Sequence, residues 1–517
     1  MIEYAWPEMD GSFQADTWLS WADALPPELI RSMPVLSVAY AWAMLNMGDL
    51  EAAESRLQDA AQWLDGTTTT GMIVVDDEQF LTLPASIASA RAYIAQARGD
   101  VAGTIAYAEQ ALALAPKDDY VRRGPAASLL GLAYWGQGEL EAAYRALAEA
   151  MDGFRLAGST SFAISGTYGL ADIRVAQGRL REAINVYEQS LHLVDEQESP
   201  AIRGTAELYL GLSLLHREQG NADTAAEYLS KSLELGESAA LANWPNRMRI
   251  VRARFQEDAG DPNGALDLLD EAARFYFPTP VPDPKPVAAM KARIWITQGR
   301  LSDAWAWANE QGLSIDGDLS YLREFEYLTL ARLLIAQYRA DGTNAAVHEA
   351  IELLARLLHA AEAGGRMGSV IEILILQALA YQTQGDASSA LEPLARALVL
   401  AEPEGYIRIF ADEGEPMAGL LSVAAENGIA PDYIRRLLMA TDKTETPIVA
   451  GLLTDPLSDR ELDVLRLLGT ELSGPEIANE LMVSLNTMRT HTKNIYSKLG
   501  VNSRRAAVRR AEELDLL

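Results

Sequence analysis

The sequence predicts an all-α protein, a superhelix of helical hairpins followed by a compact four-helix domain, and three observations carry that prediction. One glycine-centred mark recurs with a period near forty residues. Apolar residues return at helical spacing on both sides of it. After residue 450 the pattern changes to short helices and a basic segment without carboxylates.

The mark reads Gly-x-Leu-x-x-Ala in "NMGDLEAAESRL" from Asn46, "GQGELEAAYRAL" from Gly136, "AQGRLREAINVY" from Ala176 and "TQGRLSDAWAWA" from Thr297. With looser copies it puts glycines at 48, 99, 138, 178, 220, 260, 299, 342 and 385, spaced by 51 and then by 39 to 43 residues. Glycine there ends one helix in a left-handed conformation, and the polar residue after it opens the next near its positive dipole end. Leu208, Leu212 and Leu215 before Gly220, and Ala183, Tyr187 and Leu191 after Gly178, form the apolar stripes. A lone hairpin leaves such a stripe uncovered, so consecutive pairs stack into a superhelix with an elongated concave surface. Two stretches break the period: "DGTTTTGMIVVDDEQF" from Asp65, whose carboxylates read as a solvated loop, and the proline-rich "FPTPVPDPKP" from Phe277, which is not helical throughout. The array of about nine repeats occupies residues 1–440, and a linker containing Thr, Asp and Pro covers 441–456.

Residues 457–517 form the second domain. "DPLSDRELDVLRLLGT" sets Ser458 and Glu461 in capping-box spacing before a helix with Leu462, Leu465 and Leu468 on one face. Ser473 and Glu476 repeat the device before a helix of about two turns carrying Ile477 and Leu481. Ser484 opens a third helix, whose Met488, Ile495 and Leu499 are the buried stripe while Arg489, Lys493 and Tyr496 follow the other side. Gly500 stops it, and a fourth helix begins near Ser503 with Ala507, Ala511 and Leu514 on one face. Two short helices in tight succession, the second presenting bases outward, describe a helix-turn-helix.

Charge points the same way. The chain carries a formal net charge of -30, of which residues 451–517 contribute only -1. Residues 485–511 hold seven bases, Arg489, Lys493, Lys498, Arg504, Arg505, Arg509 and Arg510, and no Asp or Glu. A helix in the major groove lies between rows of phosphates, where a carboxylate is repelled and forfeits the gain from counterion release. Double-stranded DNA is therefore the expected partner.

Residues 456–517 resemble the LuxR-type C-terminal DNA-binding domain through "LSDRELDVLRLL", "EIANEL", "VSLNTMRTHTKNIYSKLGV" and "SRRAAVRRAEELDLL". The resemblance implies that the second and third helices form the reading motif and that the fourth commonly supplies a dimer contact. Carried over by position, it puts Arg489, Thr490 and Lys493 at base edges, and Ser484, Thr487, Asn494, Lys498, Ser503 and Arg504 on phosphates. The sequence departs from the pattern at Gly474-Pro475, so no phosphate contact is assigned at the start of the second helix. It departs again at Thr492, which stands where an aliphatic residue is usual.

The repeat array resembles tetratricopeptide-like repeats of the longer, forty-residue type. "WLSWADALPPELIRSMPVLSVAYAWAMLNMGDLEAAE" and "EGYIRIFADEGEPMAGLLSVAAENGIAPDYIRRLL" resemble the repeat-domain boundaries of the large ATP-dependent LuxR-type activators related to the maltose-regulon activator. In that family a signal-transducing ATPase and a winged helix precede this region. The present sequence has no Gly-x-x-x-x-Gly-Lys-Ser/Thr loop, so no nucleotide cofactor is expected of it. The resemblance implies a transcription regulator whose repeats sense a small-molecule or protein effector, which binds promoter DNA as a homodimer and acts on the transcription machinery.

Other chemistry finds little support. The five histidines, His192, His216, His348, His359 and His491, lack metal-ligand spacing, and no cysteine is present to act as nucleophile or thiolate ligand. An enzyme is not expected. Neither a signal peptide nor a membrane span is read from the sequence, the most apolar run, Val370 to Ala380, being broken by Glu372 and Gln377. The cytoplasm is the expected compartment. A second reading of the same residues is an adaptor, with the repeats gripping a partner protein or peptide and the helix-turn-helix accessory.

Overall fold

The computed structural model describes residues 2–11, 14–64, 71–196, 202–276, 279–441, 459–470, 472–481, 488, 491–493, 495–496, 501 and 503–513. Every regular element among them is helical. The chain divides into two compact units, Met1–Ala253 with Pro262–Thr444, and Glu445–Leu517 with Arg254–Asp261.

In the first unit the helices pair into hairpins, from Pro34–Asn46 with Leu50–Ala61 to Met367–Thr383 with Ala387–Ala401. All nine glycines named above stand at a hairpin turn, with φ between +71° and +84°. At eight of them the turn is built alike. The glycine N–H reaches the carbonyl three residues back and the next N–H reaches the one five back, as in Gly178 to Val175 at 2.9 Å and Arg179 to Arg174 at 2.8 Å. These two bonds satisfy carbonyls that the helix end leaves open. Gly342 differs, donating to Tyr338 O at 2.8 Å. At three turns the residue after the glycine also caps the second helix: Asp49, Asp100 and Asp386 accept from Ala52, Gly103 and Ser389 N–H.

The expected apolar stripes are buried. Leu208, Leu212, Leu215, Ala183 and Tyr187 lie in one continuous core, and Leu191 packs half-buried against it. Of the two interruptions, residues 65–70 and 277–278 lie outside the described residues. Asp76 accepts from Glu78 and Gln79 N–H at 3.0 Å, so this carboxylate caps the short helix Asp77–Leu81. Residues 279–286 are non-helical as expected, with Val281 packed against the cluster around Trp135 and Tyr321.

The superhelix also returns onto itself. Gln96 Nε2 donates to Pro280 O (2.9 Å), Trp135 Nε1 to Tyr321 Oη (3.0 Å), Gln219 Nε2 to Glu404 O (3.2 Å), and Arg217 pairs with Asp412 (3.1 Å). These partners are 184 to 195 residues apart, so one turn of the coil takes between four and five hairpins. The glycine edge of one turn meets the entry of the first helices of the next. Approach is close at Gly138, where a Cβ would lie 2.9 Å from Tyr321 Cβ, and at Gly178, where it would lie 3.0 Å from Met367 Cβ and from Gly368 N; a Cβ on Gly368 would lie 2.6 Å from Val175 O. Both sides of the second contact require a residue without a side chain.

At the far end of the seam, Glu218 Oε1 accepts Ile409 N–H and its carbonyl accepts Ile407 N–H, both at 2.9 Å. Burial pushes the Glu218 carboxyl up to about 7, and Asp412 pushes the same way, against the Ile409 N–H and the Arg217 and Arg408 guanidiniums. Tyr406 and Tyr433 close the pocket around it, the Tyr433 hydroxyl donating to the Tyr406 carbonyl.

Two predictions follow from the seam. Gly368→Ala should lower stability by roughly 1–3 kcal/mol, because its Cβ meets backbone. Gly419→Ala, whose nearest neighbour is Gln382 Nε2 at 3.7 Å, should be neutral or stabilise by about 0.4–1 kcal/mol. Thermal and denaturant unfolding of the two variants measure the contrast. For Glu218 the native state keeps its proton to about pH 7, whereas the unfolded side chain releases it near 4.5. Its contribution is therefore full below the lower value and is lost as pH rises to the upper one. Glu218→Gln should shrink the fall in melting temperature between mildly acidic and mildly alkaline buffer; an unchanged fall would show that this carboxyl does not titrate there.

Candidate nucleic-acid interface

In the second unit the described helices are Asp459–Leu468, Gly474–Glu480 and Arg504–Glu513, with Met488, His491–Lys493 and Ile495–Tyr496 helical in the region of the third. Their apolar residues make one small core: Val464, Leu465, Leu468, Ile477, Ala478, Met488, Ile495, Ala507 and Ala511 are all buried. Ser458, Leu499, Gly500 and Leu514 lie outside the described residues, as does the Glu461 side chain. The second capping box is formed on the Glu476 side. Both the backbone N–H and the hydroxyl of Ser473 donate to Glu476 Oε2, at 2.8 and 2.6 Å, and these bonds hold the carboxyl below its ordinary range. Pro475 stands in the first turn, where its missing N–H costs nothing, and Met488 lies beside Gly474, where even a Cβ would be in ordinary contact at 3.9 Å from its sulfur.

Lys493 is exposed while Met488 and Ile495 point inward, so the basic and apolar sides of this segment separate as expected. Tyr496 departs from the expectation. It packs half-buried against the core instead of following Lys493, and burial raises its hydroxyl. Thr492 is accommodated half-buried because its hydroxyl donates to Met488 O at 2.9 Å, which removes the cost of a polar group against the core. Arg489, Thr490, Ser484, Thr487, Asn494 and Lys498 lie outside the described residues. Ser503 is exposed at the start of the fourth helix and accepts Ala506 N–H at 3.4 Å. Arg504 turns inward: Nε donates to Leu468 O (2.8 Å), Nη1 to Leu472 O (2.6 Å), and Nη2 to Thr470 O (2.6 Å) and Leu467 O (3.4 Å).

The repeat unit carries a second candidate surface, which the sequence reading missed. Asp172 pairs with Arg247 at 3.4 Å across an intervening hairpin, and the Arg247 guanidinium lies 4.2 Å above the Tyr168 ring. Burial pushes the Asp172 carboxyl up against the pull of Arg247 and Lys285, yet the side chain keeps 41% of its exposure. Further along, Glu372 takes Arg293 at 2.8 Å and Arg332 at 2.9 Å, and Arg332 also takes Glu413 at 2.6 Å. Burial alone would raise Glu372, but the two guanidiniums hold it at about 2. The available signal was positional. Asp172 and Arg293 stand six residues before their glycines, Arg332 ten, and Glu207, Arg247 and Glu372 thirteen, which is one face of a helix.

A superhelix of forty-residue hairpins, together with a four-helix unit containing a helix-turn-helix, defines a class of repeat-bearing regulatory proteins. The model of the MalT-like TPR region matches residues 85–427, and that of the bacterial regulatory proteins of the luxR family matches residues 455–511. The chain belongs to this MalT-like, luxR-type family of transcription regulators. It is 26% identical over 527 residues to the HTH-type transcriptional regulator MalT of Yersinia pestis (strain Pestoides F), and 25% over 521 residues to that of Serratia proteamaculans (strain 568). Each match covers 95% of this chain and 55% of the relative, so the chain spans about half the length of the curated relatives it matches. Among solved structures, a Rap protein complexed with competence and sporulation factor aligns at 12% identity over 72% of this chain and 98% of its own, with a TM-score of 0.47. Among the described residues no helix is long and apolar enough to cross a membrane.

The formed capping box generates a prediction. Ser473→Ala should destabilise the second unit by about 1 kcal/mol, read as an earlier melting transition of that unit with the transition of the repeat unit unmoved.

Proposed function

We propose that the chain is a transcription regulator whose second unit binds promoter DNA in the major groove and whose repeat superhelix senses an effector. The observation that carries this reading is the carboxylate-free run 485–511, with Lys493 exposed on a segment whose Met488 and Ile495 anchor it to the core. Phosphates favour a basic face of this kind and repel the acid found elsewhere in the chain. In this reading Arg489, Thr490 and Lys493 meet base edges, while Ser484, Thr487, Asn494, Lys498 and Ser503 hold phosphates. One such domain makes few contacts, so specific binding takes two copies on half-sites about one helical turn apart. The effector, a small molecule or a protein, is assigned to the inner wall of the superhelix, where Tyr168, Asp172 and Arg247 offer an aromatic face and both charges. No cofactor and no catalytic step is assigned to this chain.

Replacing Arg489 by Ala should cost roughly 1–3 kcal/mol at a single base pair if its side chain makes a bidentate guanine contact. Lys498→Ala should weaken all duplexes alike and flatten the salt dependence by about one unit. Fluorescence anisotropy with promoter fragments measures both, and unchanged affinity in the two variants would overturn the reading. Partner capture that survives removal of residues 451–517, with no duplex binding by the intact chain, would favour an adaptor instead.

A further inference from the structure

The fourth helix of the second unit opens with a side chain whose surroundings assign it a task other than holding a phosphate. An α-helix leaves its last four carbonyls without intrahelical donors. In Asp459–Leu468, Gly469 N–H serves Leu465 O (3.2 Å) and Arg466 O (3.1 Å), and Thr470 serves Leu467 O through its N–H (3.1 Å) and its hydroxyl (2.7 Å). Leu468 O is taken by Arg504 Nε at 2.8 Å. The same guanidinium reaches Thr470 O and Leu472 O, each at 2.6 Å, and Leu467 O at 3.4 Å. One fork thus grips the last two residues of the first helix and the turn that follows it. Ser473, the next residue after Leu472, caps the second helix through Glu476.

We infer that Arg504 is a positioning residue: its guanidinium clasps the carbonyls of Leu467, Leu468, Thr470 and Leu472 and thereby fixes where the second helix, and the reading helix after it, stand relative to the fourth. The charge suits the place, since a cation at a helix C-terminus meets the negative end of the dipole. Only a planar fork serves, because the four carbonyls are reached by three different nitrogens; a lysine ammonium is a single point on a flexible stem. The inference rests on the DNA-binding reading for its consequence but not for its geometry, and it replaces the phosphate contact expected for Arg504 from the sequence.

The discriminating variant is Arg504→Lys, compared with Arg504→Ala and the wild-type chain in anisotropy titrations on a selected site and on an unrelated duplex, across about 50 to 200 mM salt. A clasp predicts that lysine does not rescue. Preference for the selected site falls roughly tenfold as the reading helix loses its placement, while the salt slope stays at its wild-type value. Complete loss of duplex binding in Arg504→Lys, with the repeat unit melting normally, supports the clasp equally, because a phosphate contact would accept lysine. Affinity and preference retained in Arg504→Lys, or a slope lowered by about one unit in Arg504→Ala, would overturn it. Hydrogen exchange without DNA separates this from the DNA reading. Faster exchange at residues 467–477 in Arg504→Lys, with wild-type protein that binds no duplex, would sink the proposed function and leave the clasp; unchanged exchange would sink the clasp.

Discussion

The left-handed glycine at each hairpin turn is the constraint on which the repeat unit depends. At φ between +71° and +84° it turns the chain back within one residue, satisfies the end of one helix and hands the next residue over as the cap of the second. The apolar stripes of the two helices then face the neighbouring hairpins, where Leu208, Leu212 and Tyr187 join a single core. The same edge, free of side chains at Gly178 and Gly368, lets one turn of the coil rest on the next at backbone distance. Successive turns of the coil are thereby held in direct contact along this edge.

One face of the first helices differs chemically from the rest of the unit. Residues 1–450 carry -29, yet Arg247, Arg293 and Arg332 are gathered on that face, each against a carboxylate. Enclosed ion pairs of this kind add little net stability against their desolvation cost, but they are costly to break singly. They are suited to fixing the register of successive hairpins and to recognising a polar ligand, since both signs of charge and the Tyr168 ring are presented together. The second unit follows another logic. Among its described residues Lys493, Arg505 and Arg509 are exposed, while the Arg504 guanidinium turns to the carbonyls at the end of the first helix.

Much of this was legible in the sequence. The nine glycines, the all-helical class, the hairpin stripes, the capping box at Ser473 and Glu476 and the fourth helix near Ser503 all follow from local rules of capping and periodicity, and the structure shows each of them. Contacts between residues about 185 positions apart, such as Trp135 with Tyr321, have no local signal, so the closure of the coil was invisible. The inner charged stripe was present at six, ten and thirteen residues before the glycines, but it emerges only once the repeats are superposed on a helical face. Tyr496 was misread for a physical reason. An amphipathic or cationic side chain near a small core can turn inward, and spacing alone does not reveal which way it turns.

Selection from a pool of random-sequence duplexes tests the account most directly, with the intact chain compared against the chain lacking residues 451–517. The account predicts that the intact chain enriches a motif of two half-sites about 10 bp apart and that the shortened chain enriches none. Equal recovery of all sequences by both chains would contradict it.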